Sequence, residues 1–216
     1  MDISFLGHSC FLLKGRDTKV ITDPYGSEVG WQQSKVEGDI VTVSHEHKDH
    51  NNLSRVTGEP MVIAGPGEYE IKGVSVTGIS VFHDDKQGKE RGKNTIYTID
   101  IDGLRVCHMG DLGHKLKDKQ LDLLDGVDVL MMPVGGFYTL NPKEAAAMIK
   151  QISPTVFLPM HFKDKGMKAS FDKLITLDKF LQMMDGDGNV VKESKLSLKK
   201  TELTEEEMKI VILERK

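Results

Sequence analysis

The chain has 216 residues, 29 Lys+Arg against 33 Asp+Glu, a formal net charge of −4 at pH 7 and a pI near 6.1. This length suits a single domain over 1–216, able to bury about 70% of its unfolded surface without covalent staples. The acidic balance, with no Lys/Arg cluster, argues against a dedicated nucleic-acid binder. The longest apolar run, 127–134, is broken by Asp128 and Pro133 and is shorter than the ~18 residues a membrane span needs. The first residues carry neither a basic n-region nor a long apolar h-region. Cys10 and Cys107 are too few for a disulfide framework, so the expected setting is the reducing cytoplasm.

In chain order, short apolar strands end in polar, chemically capable residues. Residues 3–6 run into Gly7-His8, and 19–22 into Asp23-Pro24. Residues 39–43 run into Ser44-His45-Glu46-His47, and an alternating strand over 74–82 ends at His83. Residues 104–107 lead to His108-Met109-Gly110-Asp111, 127–132 to Pro133-Val134-Gly135-Gly136, and 155–158 to Pro159-Met160-His161. These runs are four to nine residues long and rich in β-branched side chains, as strands are.

Helices are predicted between the later strands. Residues 116–124 form a short one that stops at Gly126. Asn141-Pro142-Lys143-Glu144 reads as an N-cap, a proline at N1 and a capping-box acid, followed by an apolar face of Ala145, Met148, Ile149 and Ile152. A third helix covers 177–184 with Phe180, Leu181 and Met184 inward. Extended pieces are expected at 195–200 and, after Glu205-Glu206-Glu207, at 209–214. Strands first, then strands alternating with helices, indicate a layered α/β protein whose chemistry collects at strand ends.

The strongest signal is His45-Glu46-His47-Lys48-Asp49-His50. In extended backbone, residues i and i+2 point to the same side, so His45 and His47 can pinch one cation. Asp49 and His50 follow where the chain turns and can diverge toward a second cation. Three imidazoles and a carboxylate suit Zn²⁺, with Mn²⁺ and Fe²⁺ as substitutes.

This loop is the signature of the metallo-β-lactamase superfamily, which the chain resembles over about residues 1–165. The resemblance implies a four-layer αββα sandwich. It also implies that His83, Asp111 and His161 complete the set. One divalent ion would then lie among His45, His47 and His83, the other among Asp49, His50 and His161, with Asp111 and a hydroxide between them. Gly7-His8-Ser9-Cys10, Thr22-Asp23-Pro24, Gly110-Asp111-Leu112 and Pro133-Val134-Gly135-Gly136 are similar to the compact branch related to ascorbate-6-phosphate lactonase.

Several positions have rivals. His108 and His114 compete with His83 as the third ligand. In the resemblance Asp23 buttresses a ligand imidazole, but an Asp-Pro turn explains it nearly as well; His8 is a weaker case of the same kind. Cys10 and Cys107 read as small buried hydrophobes. Gly135, Gly136 and Tyr138 are candidates for the mouth of the site or for a plain turn, Asn94-Thr95 for a loop edging the cleft, and 84–93 for mobile surface.

The expected activity is hydrolysis of a lactone, ester or amide in a small molecule by a dinuclear centre, with Asp49 and Asp111 as catalytic carboxylates. There is no Gly-x-Ser-x-Gly elbow to suggest a serine nucleophile. A phosphodiesterase or nuclease-type hydrolase is the alternative within the same chemistry. A non-catalytic, metal-dependent binding module is the alternative outside it.

Overall fold

The computed structural model describes residues 1–32, 34–184, 189–204 and 208–216. The expected acidic run Glu205-Glu206-Glu207 lies outside the described residues. The first part of the chain supplies β1 (Asp2–Gly7), β2 (Cys10–Lys14), β3 (Lys19–Thr22), β4 (Val36–Glu37), β5 (Ile40–Thr42), β6 (Val56–Thr57), β7 (Met61–Ile63) and β8 (Gly67–Ile71). Next come β9 (Val74–Phe82), β10 (Lys93–Ile101), β11 (Leu104–His108), α1 (Asp118–Asp122), β12 (Val129–Pro133), α2 (Pro142–Ile152) and β13 (Val156–Met160). The chain closes with α3 (Leu177–Met183), β14 (Asn189–Glu193), β15 (Leu196–Ser197) and β16 (Lys209–Leu213).

The strands form two large sheets, ordered β15-β1-β2-β3-β5-β7 and β14-β16-β13-β12-β11-β10-β9-β8, and the small pair β4-β6. Strand alternation sorts side chains into layers. Ile3, Leu13, Val20 and Ile40 of the first sheet meet Ile99, Val106, Met131 and Leu158 of the second in a core between them. The opposite face of the second sheet, with Cys107, Leu130 and Phe157, packs on Ala145, Met148 and Ile149 of α2 and Phe180 of α3. The outer face of the first sheet, with Cys10, Ile21 and Val41, is covered by Val29 and Phe171, which lie in 3₁₀ turns at Ser27–Val29 and Ala169–Phe171. The expected four layers are therefore present, one outer layer being built from such turns.

Several elements differ from their sequence-based bounds. α1 is shorter than 116–124 and begins after Lys117. Asn141 caps α2 by accepting from Lys143 N (3.0 Å), but Glu144 turns to Lys115 at 3.3 Å instead of closing a capping box. The extended reading of 195–200 shrinks to β15, followed by a 3₁₀ turn at Lys200–Glu202. Asn94 and Thr95 do not lie in a loop but are buried members of the nine-residue β10, with Thr95 on the wall of a cavity beside His45 and His47.

Topology delivers the polar strand ends to one place. β3, β5 and β7 are mutually parallel, as are β11, β12 and β13. Two antiparallel steps bring β1 into line with β3 and β9 into line with β11. The carboxyl ends of β1, β3 and β5, and those of β9, β11 and β13, thus lie at one edge of the sandwich. Tyr97 ties the sheets together there: its hydroxyl is 2.9 Å from Val43 O and accepts from Gly65 N at 2.8 Å.

Candidate metal centre

Each candidate ligand follows a strand, and several sit on strained backbone. His8, Asp23 and His161 have φ of 57°, 39° and 51°, left-handed values that side chains other than Gly adopt at a cost. At these strand ends the reversal turns the side chains across the sandwich edge. His161 N donates to His8 O at 2.9 Å, which joins the ends of β1 and β13.

The donor atoms fall into two groups. His45, His47 and His83 bring one ligand atom each within 4.8 Å of one another, and so do His8, Asp49, His50 and His161. Asp111 stands between them. Its Oδ2 is 3.2 Å from His83 Nε2, 3.3 Å from His50 Nε2 and 3.1 Å from His161 Nε2; His45 Nε2 is 4.0 Å away. All seven residues expected from the sequence are therefore brought together. His8 joins the second group, with its Nε2 3.3 Å from Asp49 Oδ2. Its signal was present in Gly7-His8, the end of β1.

Asp23 decides its own ambiguity. Wholly buried, it accepts from Ser44 N (2.8 Å), from Ser44 Oγ (2.5 Å) and from His50 Nδ1 (2.8 Å). Because Ser44 Oγ gives its proton to Asp23, it accepts from His45 Nδ1 at 2.8 Å. Both imidazoles thus carry hydrogen on Nδ1 and turn Nε2 inward, the nitrogen that a cation would take in place of a proton. One carboxylate sets the tautomer of a histidine in each group. Ser44 had no sequence signal beyond its place beside His45.

The same reasoning removes the rivals. Gly110 N donates to His108 Nδ1 (3.2 Å), so His108 Nε2 donates to Ser9 O (2.8 Å), and neither nitrogen is left for a ligand role. His114 Nε2 accepts from Phe82 N (3.2 Å) while Nδ1 donates to Lys115 O (2.8 Å). His114 thereby fastens the end of β9 just before His83.

Asn94 holds Asp111 in place. Its amide accepts from Asp111 N (3.0 Å) and donates to Met109 O (2.9 Å). Gly110 lies between with φ 54°, and a Cβ there would run into Asn94 Oδ1 and Ser44 Cβ. The backbone can pass this close only as glycine. Gly135 is not at the mouth of the site. It is buried behind the site, its N donating to His161 O at 3.1 Å, while Gly136 is packed on Pro142. Tyr138 does stand beside the site, hydrogen-bonded to Ser170 O at 2.6 Å. The 84–93 stretch is held by the buried Asp84 carboxylate, which accepts from the backbone N–H of Lys86, Gly88, Glu90 and Arg91.

The electrostatics favour a positive charge at the centre. Burial and the neighbouring His50 push the His45 imidazole down to about 2, and burial with His161 pushes His8 down to about 4, so both are neutral donors. Burial opposes the charge on Asp111, yet His161 and His50 hold its carboxyl well below the usual range. Burial likewise opposes charge on His50, but Asp111 and Asp49 overcome it and raise the group well above its ordinary value. The donor chemistry fits divalent cations. His50 Nε2, which faces the cluster, and the second carboxylate oxygen of Asp111, Oδ1, are buried without a hydrogen-bond partner, as expected of a site reserved for a cation. Cys107, by contrast, is buried away from the cluster, its Sγ 3.5 Å from Met109 Sδ, and burial pushes its thiol up.

Residues 2–161 match the sequence model of the β-lactamase superfamily domain. The chain belongs to the metallo-β-lactamase superfamily. A crystal structure from Thermotoga maritima, described as a Zn-dependent hydrolase of the metallo-β-lactamase superfamily, is similar over the whole fold: 35% identity, TM-score 0.80, 100% of this chain and 99% of that one covered. Curated relatives include metal-dependent hydrolases of Thermococcus onnurineus, 26% identical over 74% of this chain and 84% of that protein, and of Archaeoglobus fulgidus, 29% identical over 75% and 83%. With its His/Asp centre, the chain is an enzyme of this metal-dependent hydrolase type. No helix among the described residues is long and apolar enough to cross a membrane.

Proposed function

We propose that the protein is a dinuclear hydrolase acting on a lactone, ester or amide of a small molecule in the cytoplasm. The observation that carries this reading is the single Asp111 oxygen set 3.1–3.3 Å from imidazoles of both donor groups. His45, His47 and His83 would hold one cation and Asp49, His50 and His161 the other, with Asp111 shared. Zn²⁺ suits the nitrogen-rich donors best, and Mn²⁺ or Fe²⁺ would fit the same set.

At such a centre the bound cations supply hydroxide at neutral pH and polarise the electrophilic oxygen. The protein's own residues do the rest. Asp23 fixes His50 directly and His45 through Ser44, so ligand rings need no reorientation as charge develops. Asp49, whose carboxyl is lowered despite burial by the adjacent His50 and His8, stays ionised and is placed to orient the attacking water and accept its proton. Asn94 keeps Asp111 from drifting between the two groups.

The test is turnover of a panel of simple esters, lactones, amides and bis(p-nitrophenyl) phosphate, before and after chelation and after reloading with Zn²⁺ or Mn²⁺. Hydrolysis of a carbonyl substrate that chelation abolishes and metal restores is the expected result. Turnover of the phosphodiester alone would replace this reading with a nuclease-type one. Metal uptake with no turnover of any class would point to a binding module.

A further inference from the structure

Two cavities flank the histidines, and one side chain lines both. The first, of about 490 Å³, opens on His45 and His47 and is also lined by Ser80, Arg91, Lys93 and Thr95. The second, of about 420 Å³, opens on His83 and is edged by Arg91 and Tyr138. The Arg91 guanidinium lies over the Tyr138 ring, 4.9 Å from its centroid, an arrangement that stiffens a long side chain while leaving its N–H groups available. Its backbone is fixed from the other side by Asp84 Oδ2, which accepts from Arg91 N at 2.7 Å.

The acids around it have other partners. Asp84 is occupied by four backbone N–H groups. Asp85 pairs with Lys86 and Glu144 with Lys115, and Glu46 accepts from Asn51. Glu90 is exposed and forms no ion pair with Arg91. Among the described residues neither Arg91 nor Lys93 has a carboxylate partner. Half-buried Arg91, its guanidinium resting on Tyr138 and its backbone tied to Asp84, stands on the wall shared by the two cavities with no carboxylate partner among the described residues.

We infer that Arg91 is a specificity-determining residue that receives an anionic group, a carboxylate or a phosphate, on the part of the substrate away from the bond that is cleaved. Planar N–H pairs match both anions, and Lys93 adds charge to the wall of the first cavity. This rests on the hydrolase reading for the identity of the ligand as substrate, but its recognition chemistry is testable without turnover.

The experiment is calorimetric binding to the metal-loaded protein of dicarboxylates of three to six carbons, each compared with the monocarboxylate of equal length. Every compound offers one carboxylate to the centre, and only the diacids offer a second. The wild type is expected to bind at least one diacid about tenfold more tightly than its monoacid, and Arg91→Met to bring that ratio close to one. Arg91→Glu should reverse it, giving a second variant should the first be poorly folded; metal content and circular dichroism verify both. A phosphonate replacing the distal carboxylate decides between the anions by which binds more tightly. Equal affinities for diacids and monoacids in the wild type, or a preference that survives in both variants, would overturn the assignment. If no ester or lactone is hydrolysed while the Arg91-dependent preference persists, the hydrolase reading fails and the anion subsite stands.

Discussion

His50 Nδ1 donates to Asp23 Oδ2 at 2.8 Å, and both residues are inaccessible to solvent. The same carboxylate reaches His45 through Ser44, so one residue outside the cation-facing set controls both halves of it. Asp23→Asn should therefore reduce metal affinity about 10–100-fold, the range seen when such outer partners are lost. Metal titration should show both equivalents weakened. If only the equivalent near His50 responds, the route through Ser44 carries no weight.

Asp111→Asn is expected to remove turnover and lower metal content, because one shared oxygen faces both donor groups. His114→Ala should leave the metal content at the wild-type value, since both His114 nitrogens are spent on backbone. Elemental analysis of the two variants side by side checks the contrast.

His8→Ala removes the imidazole 3.3 Å from Asp49 Oδ2. The expected outcome is a loss of about tenfold in affinity for one metal equivalent, with the other unchanged. Stepwise metal titration separates the two. Equal loss from both would mean that the change disturbs the fold at the β1–β13 junction instead.

Asp84 gives a pH-dependent prediction. Burial works against its charge, but its four backbone donors prevail and draw the carboxyl down to about 2. A group depressed in the folded state contributes stability above its unfolded value, about 4, and loses that contribution as pH falls through about 2. The stability difference between wild type and Asp84→Asn should accordingly be complete near neutrality and shrink from pH 4 to pH 2. Urea midpoints across that window test it, and a constant difference would contradict it.

Gly110→Ala should cost about 1–3 kcal/mol and displace Asp111. The new Cβ meets Asn94 and Ser44, and the φ of 54° is unfavourable to it. Both a lower thermal midpoint and reduced metal content are expected; a change in stability alone would show that the loop gives way without moving the carboxylate.

The His-x-His-x-Asp-His loop was legible because its geometry is local: neighbouring residues in extended backbone share a face. His83, Asp111 and His161 were legible through the superfamily resemblance, which expects a His, an Asp and a His at successive strand ends after the loop. Asp23 stood between a turn and a buttress, since both readings use the same Asp-Pro step and only its distance to His50, 27 residues on, separates them. Asn94 was misplaced because a polar pair following a charged stretch looks like a loop, whereas here it begins a buried strand and its amide serves a backbone 17 residues away. Tyr97 acts across 54 residues, and no spacing rule reaches that far. His114 and His108 were chemically plausible ligands until hydrogen bonds claimed both nitrogens of each. What escaped the sequence was contact between segments far apart in the chain, some within one sheet, as Asp23 to His50 and Asn94 to Asp111, and some between the two, as Tyr97 to Val43 and His108 to Ser9.

The cluster draws His8, Asp23 and His45 from one sheet and His83, Asp111 and His161 from the other. A cation seated there would act as a rivet through the sandwich, adding to the Tyr97 hydroxyl, the backbone bond from His161 to His8, the His108 bond to Ser9 and the apolar packing that join the two halves at this edge. Prising the halves apart would then scatter the ligands and release the ion, so resistance to heat and retention of metal should rise and fall together.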